Sequence, residues 1–199
     1  GLGDVYKRQV EGLGKAGFFR WLCLSLAKLV HYRIVPLLLC FMTLSAVLSM
    51  FIDSITVVLF LATVTLELAQ TMHFDPVPMI LSEIFCANLG GAATMCGNPP
   101  NIIIGTSLDY TFFDFISNTG AAAAICFVLI LAYFTVCFRK KLLQAERENG
   151  AITCPQPGTA ITNRAAFLAS AGVFLLAVIL LVTHAMTELS VACISVLVA

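Results

Sequence analysis

From Ile34 to Phe138 the chain runs for 105 residues without a lysine or an arginine. All eleven basic residues flank this stretch, six in residues 1–33 and five in residues 139–164. Acids do occur inside it: Asp53, Glu67, Asp75, Glu83, Asp109 and Asp114. Basic residues collect on the cytoplasmic side of membrane proteins. Both basic blocks are therefore placed in the cytoplasm, and most of 34–138 in or across a bilayer. Composition points the same way. Only 11% of residues are charged and 60% are hydrophobic, against roughly 25% charged in a soluble globular domain. A water-soluble enzyme, a disordered region and a nucleic-acid binder do not fit such a chain. The formal net charge is zero, which gives no reason to expect a polyionic partner. Eight cysteines sit mostly in apolar runs, none in a C-x-x-C pair, and there they act as small hydrophobes.

Gly1 to Gln9 reads as a translated adapter rather than native sequence, and Val196 to Ala199 stops in mid apolar run. The chain is expected to be a fragment, with 1–14 a leader outside the fold. Residues 15–33 read as an amphipathic helix in the membrane interface. Arg20, Lys28 and His31 fall on one side of it, and Phe18, Leu22, Leu26 and Leu29 on the other.

Ile34–Ile52 and Ile55–Leu66 are two apolar runs interrupted by Asp53 and Ser54. Each is short for a hydrocarbon core that takes about 20 helical residues to cross. They make either two short crossings or one hairpin that returns to the side it entered. The polar tip favours the re-entrant hairpin, since such a tip is tolerated at membrane depth only when covered by protein or facing water. After Pro76–Leu89 come three glycines and a Pro-Pro pair within Gly90–Asn101, followed by apolar Ile102–Gly105. Proline lacks an N–H and disfavours helix in the residue before it. A transmembrane helix broken in its middle is expected over 76–108. Phe115–Phe138 is a further span, 139–164 a cytoplasmic loop, and 165–199 further spans.

A broken helix facing a hairpin tip can build an ion site. Its new N-terminus near Asn101 would offer N–H groups and a positive dipole end to an anion, and unwound carbonyls around 90–98 could hold a cation. Asp53 is the sharpest single candidate, because no basic residue between 34 and 138 is available to pair with it. Glu83 is the second. Glu67, His73 and Asp75 are placed at the interface. Ser54, Thr56, Thr94, Asn88, Asn98 and Asn101 supply further polar atoms. No cofactor is expected, and no metal beyond a transported sodium ion.

At these residues the chain resembles the ion transporter superfamily. The run Ser49-Met50-Phe51-Ile52-Asp53-Ser54-Ile55-Thr56 is similar to its acidic hairpin. Glu83 to Gly105, with Asn88, Gly90-Gly91, Thr94 and Gly97-Asn98-Pro99-Pro100-Asn101, is similar to its long glycine and proline signature. The group includes citrate transporter-like permeases, arsenite permeases, sodium/proton antiporters and the melanosomal P protein. Ser54 departs from the pattern, which has Asn there. The resemblance implies an all-α, multi-pass membrane protein forming one half of an inverted-repeat transporter. It implies a site at Asp53, Ser54, Thr56, Asn88, Gly90, Gly91, Thr94, Asn98, Pro99, Pro100 and Asn101. It also implies secondary transport of a small inorganic or organic ion, coupled to sodium or protons. The expected partners are that ion, the lipid bilayer, a second repeat of the same chain and a second copy in a homodimer. The competing reading is a membrane scaffold or assembly subunit that transports nothing. Ser117-Asn118-Thr119 echoes a sodium motif of the symporter branch, but lies outside the place expected for that role.

Overall fold

The computed structural model describes residues 17–148 and 155–161, together with 164, 165, 167–169, 171, 172, 175, 176 and 179. The leader and the spans expected beyond 179, with Cys154, His184, Glu188 and Cys193, lie outside the described residues. Every regular element among the described residues is helical. In chain order these are α1 (Phe18–Leu29), α2 (Ile34–Ser49), α3 (Ser54–Met72), α4 (Val77–Ala93), α5 (Pro99–Ser107) and α6 (Phe112–Phe115). A wide turn, Ile116–Gly120, joins α6 to α7 (Ala121–Glu148), and a short 3-10 helix, Pro157–Ala160, follows. Helix α3, of 19 residues, and the continuous run Phe112–Arg147, of 36, are long and apolar enough to cross a membrane. Helices α2 and α4 are apolar but shorter. At 1.5 Å per residue they reach about 24–26 Å, against roughly 30 Å of hydrocarbon.

Three polar contacts bring chain-distant segments to one end of the bundle. Arg33 Nε, just before α2, donates to Glu146 Oε1 at 3.2 Å. Lys141 Nζ, late in α7, donates to Asp75 Oδ2 in the α3–α4 connection at 2.6 Å. Tyr32 Oη donates to the Pro155 carbonyl at 2.6 Å. Helix α2 therefore leaves this basic end, the chain turns at 50–53, and α3 returns to it. Helix α4 starts there again and runs back toward the turn. Lys141, and then the Val77 N–H, hold the Asp75 carboxyl below the usual carboxylate range.

Helix α4 packs most extensively on α2, then on α3 and α7. Small residues permit this, since helices in a membrane associate by close van der Waals approach. A Cβ placed on Gly90 would lie 2.0 Å from the Ala46 carbonyl oxygen. The core holds Leu37, Leu38, Phe41 and Met42 of α2, Leu61 and Leu68 of α3, and Met79 and Cys86 of α4. Phe19 of α1 stacks on Phe60 of α3, with ring centroids 4.5 Å apart. In contrast, α7 presents Ile125, Val128, Leu129, Tyr133 and Val136 outward, each more than 60% exposed. Such a face suits lipid or another transmembrane helix.

Helix α1 is amphipathic, but the face it buries is Phe19, Cys23, Leu24 and Ala27. The expected stripe is not the buried face: Phe18, Leu22 and Leu26 are only half-buried and Leu29 is 71% exposed, and the buried face lies around the helix toward Arg20. Arg20 makes a two-pronged bond to Glu67 of α3, at 3.0 and 2.6 Å. This bond fixes which side of α1 turns inward.

Candidate functional site

The turn between α2 and α3 meets the interruption between α4 and α5. Helix α4 ends at Ala93; Thr94 is extended (φ −129°, ψ 161°), and Asn98 is extended before α5 begins at Pro99. The unwound stretch is therefore Thr94–Asn98, narrower than the 90–98 expected. Gly90 and Gly91 remain helical, and the interruption needs small residues because of what lies over them. A Cβ on Gly91 would fall 2.7 Å from the Asn98 amide nitrogen, and one on Gly97 would fall 2.4 Å from the Ser49 carbonyl oxygen. These glycines let three backbone segments touch; none of the three has the positive φ that only glycine takes readily.

Side chains stitch the junction together. Thr94 Oγ1 donates to the Met50 carbonyl at 2.5 Å. Ser54 Oγ, at the first residue of α3, donates to Asn98 Oδ1 at 3.1 Å. Asn101 Nδ2 donates to both the Gly91 and Thr94 carbonyls, at 3.0 and 2.9 Å. Asp53 is the N-cap of α3: its Oδ2 accepts from the Thr56 N–H at 3.3 Å and from Thr56 Oγ1 at 3.4 Å. Its other carboxylate oxygen takes no hydrogen bond among the described residues, and no cation there pairs with it. From the α6 side, Thr119 Oγ1 reaches the Ala93 carbonyl at 3.3 Å, while Ser117 and Asn118 bond within their own helix.

One expected feature is corrected. The N-terminus of α5 does not offer free N–H groups to an anion. Its first two residues are Pro99 and Pro100, which have none. The next two N–H groups, of Asn101 and Ile102, both fold back on the Asn98 carbonyl at 3.1 and 3.4 Å. What remains at the junction is the Asp53 carboxylate together with the carbonyls and N–H groups of the unwound strand Thr94–Asn98. The carboxylate, without a basic partner among the described residues, is the group there that suits a small cation.

Asp53, Ser54, Thr56, Gly90, Gly91, Thr94, Asn98, Pro99, Pro100 and Asn101 all fall in or beside the junction. Asn88 does not join them; it is exposed and donates to the Ile84 carbonyl of its own helix at 2.9 Å. Glu83 lies two turns back along α4, wholly buried. Its Oε1 accepts from Thr65 Oγ1 of α3 at 2.5 Å, and its carbonyl accepts from Ser45 Oγ of α2 at 2.7 Å. Ser45, Ser49 and Thr65 were not singled out as site residues by sequence reasoning. The available signal was the four-residue spacing of Ser45 and Ser49, which puts two hydroxyls on one face of an otherwise apolar helix. Among the described residues no cluster of His, Cys, Asp or Glu is placed to hold a metal ion, and the six described cysteines are unpaired.

The family model for citrate transporters matches residues 10–199. The chain belongs to the citrate transporter family. It is similar to a 46 kDa membrane protein of Mycobacterium leprae, with 33% identity over 130 residues, covering 65% of this chain and 30% of that one. It is 27% identical over 172 residues to an uncharacterized transporter of Mycobacterium tuberculosis, covering 86% and 40%. It is 34% identical over 122 residues to the P protein of Sus scrofa, covering 60% and 14%. The matches thus span 14 to 40% of the length of these relatives. Family and apolar helices together make this an integral membrane protein.

Proposed function

We propose that the full-length protein is a secondary active transporter of a small ion, and that residues 34–108 supply one half of its transport site. The observation that carries this reading is the junction itself. A helical hairpin tip, capped by an acid with no basic partner, is latched to a helix interrupted at the same level. Irregular backbone in a membrane protein belongs where it is covered by protein or lines a water-filled cavity, and an unpaired intramembrane acid marks an ion path. The short reach of α2 supports a re-entrant hairpin, although its second arm, α3, runs longer than the expected 55–66 and reaches crossing length; the short reach of α4 supports a helix broken at membrane depth. A second, oppositely oriented repeat, in sequence beyond this chain, would complete the site; the greater length of the mycobacterial relatives leaves room for one.

The Asp53 carboxylate, with no cation paired to it among the described residues, supports a coupling cation in this half. The substrate, a citrate-like carboxylate in keeping with the family description, draws its donors from the other half. The test is uptake by full-length protein in proteoliposomes, with radiolabelled citrate, arsenite and chloride offered in turn under sodium and proton gradients. Asp53→Asn keeps the cap geometry and removes the charge. Coupled uptake should fall to the level of protein-free vesicles. Transport with unaltered cation dependence in that variant would refute the site.

A further inference from the structure

We propose that Glu83 is a coupling-proton site, distinct from the junction. Its carboxyl holds a proton while the helices are packed as they are here, and gives it up to water admitted beside Ser49 when they part. The proposal rests on the transporter reading above and assigns it a residue and a route.

The argument starts from two atoms. Among the described residues, the buried side-chain oxygens without a hydrogen-bond partner are Glu83 Oε2 and Ser49 Oγ. Both residues are 0% exposed. A carboxylate with one oxygen unsatisfied, away from water and from any cation, is a costly group, and such a group sheds its charge instead. Among the described residues the surroundings offer no counter-charge. On α1 the nearest titratable group is the buried Cys23 thiol, and on α4 itself it is Cys86. Helix α3 contributes the Thr65 hydroxyl, and its Glu67 is already engaged by Arg20 of α1. The titratable side chain of helix α2 is the half-buried Cys40, and its Ser45 hydroxyl meets the Glu83 carbonyl. On α7, Lys141 is engaged by Asp75, while Tyr133 and Cys137 point outward. The remaining acid and base of the hairpin, Asp53 and His73, sit at the two ends of α3.

The second atom supplies the route. Ser45 touches the Glu83 carbonyl, Ser49 lies one turn further along the same face of α2, and the Ser49 carbonyl packs on Gly97 of the junction. Ser45 is engaged by the Glu83 carbonyl, so the spare polar atom on this edge of α2 is Ser49 Oγ, which stands between the level of Glu83 and the place where the proposed site opens. In the step itself the carboxylic acid loses H⁺ to a water molecule and becomes a carboxylate that the Thr65 hydroxyl then supports. No other bond is made or broken.

Full-length protein is reconstituted without sodium, and radiolabelled citrate is used in two assays. One measures accumulation driven by an imposed pH gradient. The other measures exchange against citrate inside the vesicle, which needs no net proton movement. Glu83→Gln, of the same shape but unable to titrate, should lose gradient-driven accumulation to the level of empty vesicles and keep exchange. Glu83→Asp should restore part of the accumulation. Gradient-driven accumulation that survives Glu83→Gln overturns the proposal. So does loss of exchange in a variant that still unfolds at the wild-type temperature. Infrared spectra recorded over a pH series give a readout independent of transport. A protonated-carboxyl carbonyl band should be present in the wild type, absent in Glu83→Gln, shifted in Glu83→Asp, and should bleach reversibly on alkalinisation. If the wild type moves no citrate, the transport reading fails for that substrate and this band decides the proton site alone. Spectra that do not differ between wild type and the Glu83 variants overturn it.

Discussion

The junction and the Glu83 layer are both polar regions in an apolar bundle, and they solve the same problem in opposite ways. At the junction, polar groups bond one another across three segments, and the side-chain donors of Ser54, Thr56, Thr94 and Asn101 are all engaged. In the Glu83 layer, two turns away, the carboxyl is sealed from solvent and its Oε2 is left over, and Ser49 Oγ, between the two regions, is left over as well. A densely bonded network resists change, because each bond must be replaced when the parts move. An unsaturated buried group is satisfied only by a change of protonation, water content or packing. Under the proposals above, the junction holds the ion and the Glu83 layer responds to proton supply.

The strongest way to break this contrast is at the backbone contact on which both regions depend. Gly90→Ala would drive a Cβ into the Ala46 carbonyl and should cost about 3 kcal/mol, the upper range for overpacking. Thermal unfolding in detergent reads this directly, and an unshifted melting curve would mean that α2 and α4 do not approach this closely. Asn101→Ala comes next. It removes both latch bonds to the Gly91 and Thr94 carbonyls and should cost about 2 kcal/mol. Coupling to Thr94→Val in a double-mutant cycle would show that the stitches act as a unit. Thr65→Val strips Glu83 Oε1 of its donor and should cost about 1 kcal/mol. Chemical denaturation of the single and of the Thr65→Val, Glu83→Gln pair separates that loss from simple repacking.

The smallest effect lies at the basic end. Asp75 has a lowered native pKa, so its contribution is fully present above the unfolded value, about 3.9. It is lost as pH falls through the lower native value. The pair is exposed, and solvent screening keeps the effect under about 1 kcal/mol. Lys141→Ala should flatten the acid limb of a stability profile measured between roughly pH 5 and 2. An acid limb of unchanged steepness would place the pH sensitivity elsewhere.

Much of this arrangement was legible in the chain because it rests on hard exclusions. A stretch of 105 residues without a basic side chain has few places to go but a membrane. Pro99-Pro100 cannot lie inside a regular helix, and Asp53 has no basic residue within that stretch to pair with. Features set by packing were less legible. The buried face of α1 is decided by the Arg20–Glu67 bond, a contact across 47 positions. The starved N-terminus of α5 follows from the Pro-Pro pair itself, but only the fold shows Asn101 and Ile102 turning their N–H groups onto Asn98. Asn88 carries the right chemistry on the wrong side of its helix. Ser49 and Thr65 matter because of what stands opposite them, and a sequence does not state that.

Pro99 and Pro100 have a mechanical consequence as well. Neither can donate back along the chain, and their rings would collide with carbonyls four residues earlier. No conformation restores one straight rod from α4 through α5. The gap at Thr94–Asn98 is thus a permanent joint rather than a melted segment, and any change in the angle between the two half-helices would fall at that point.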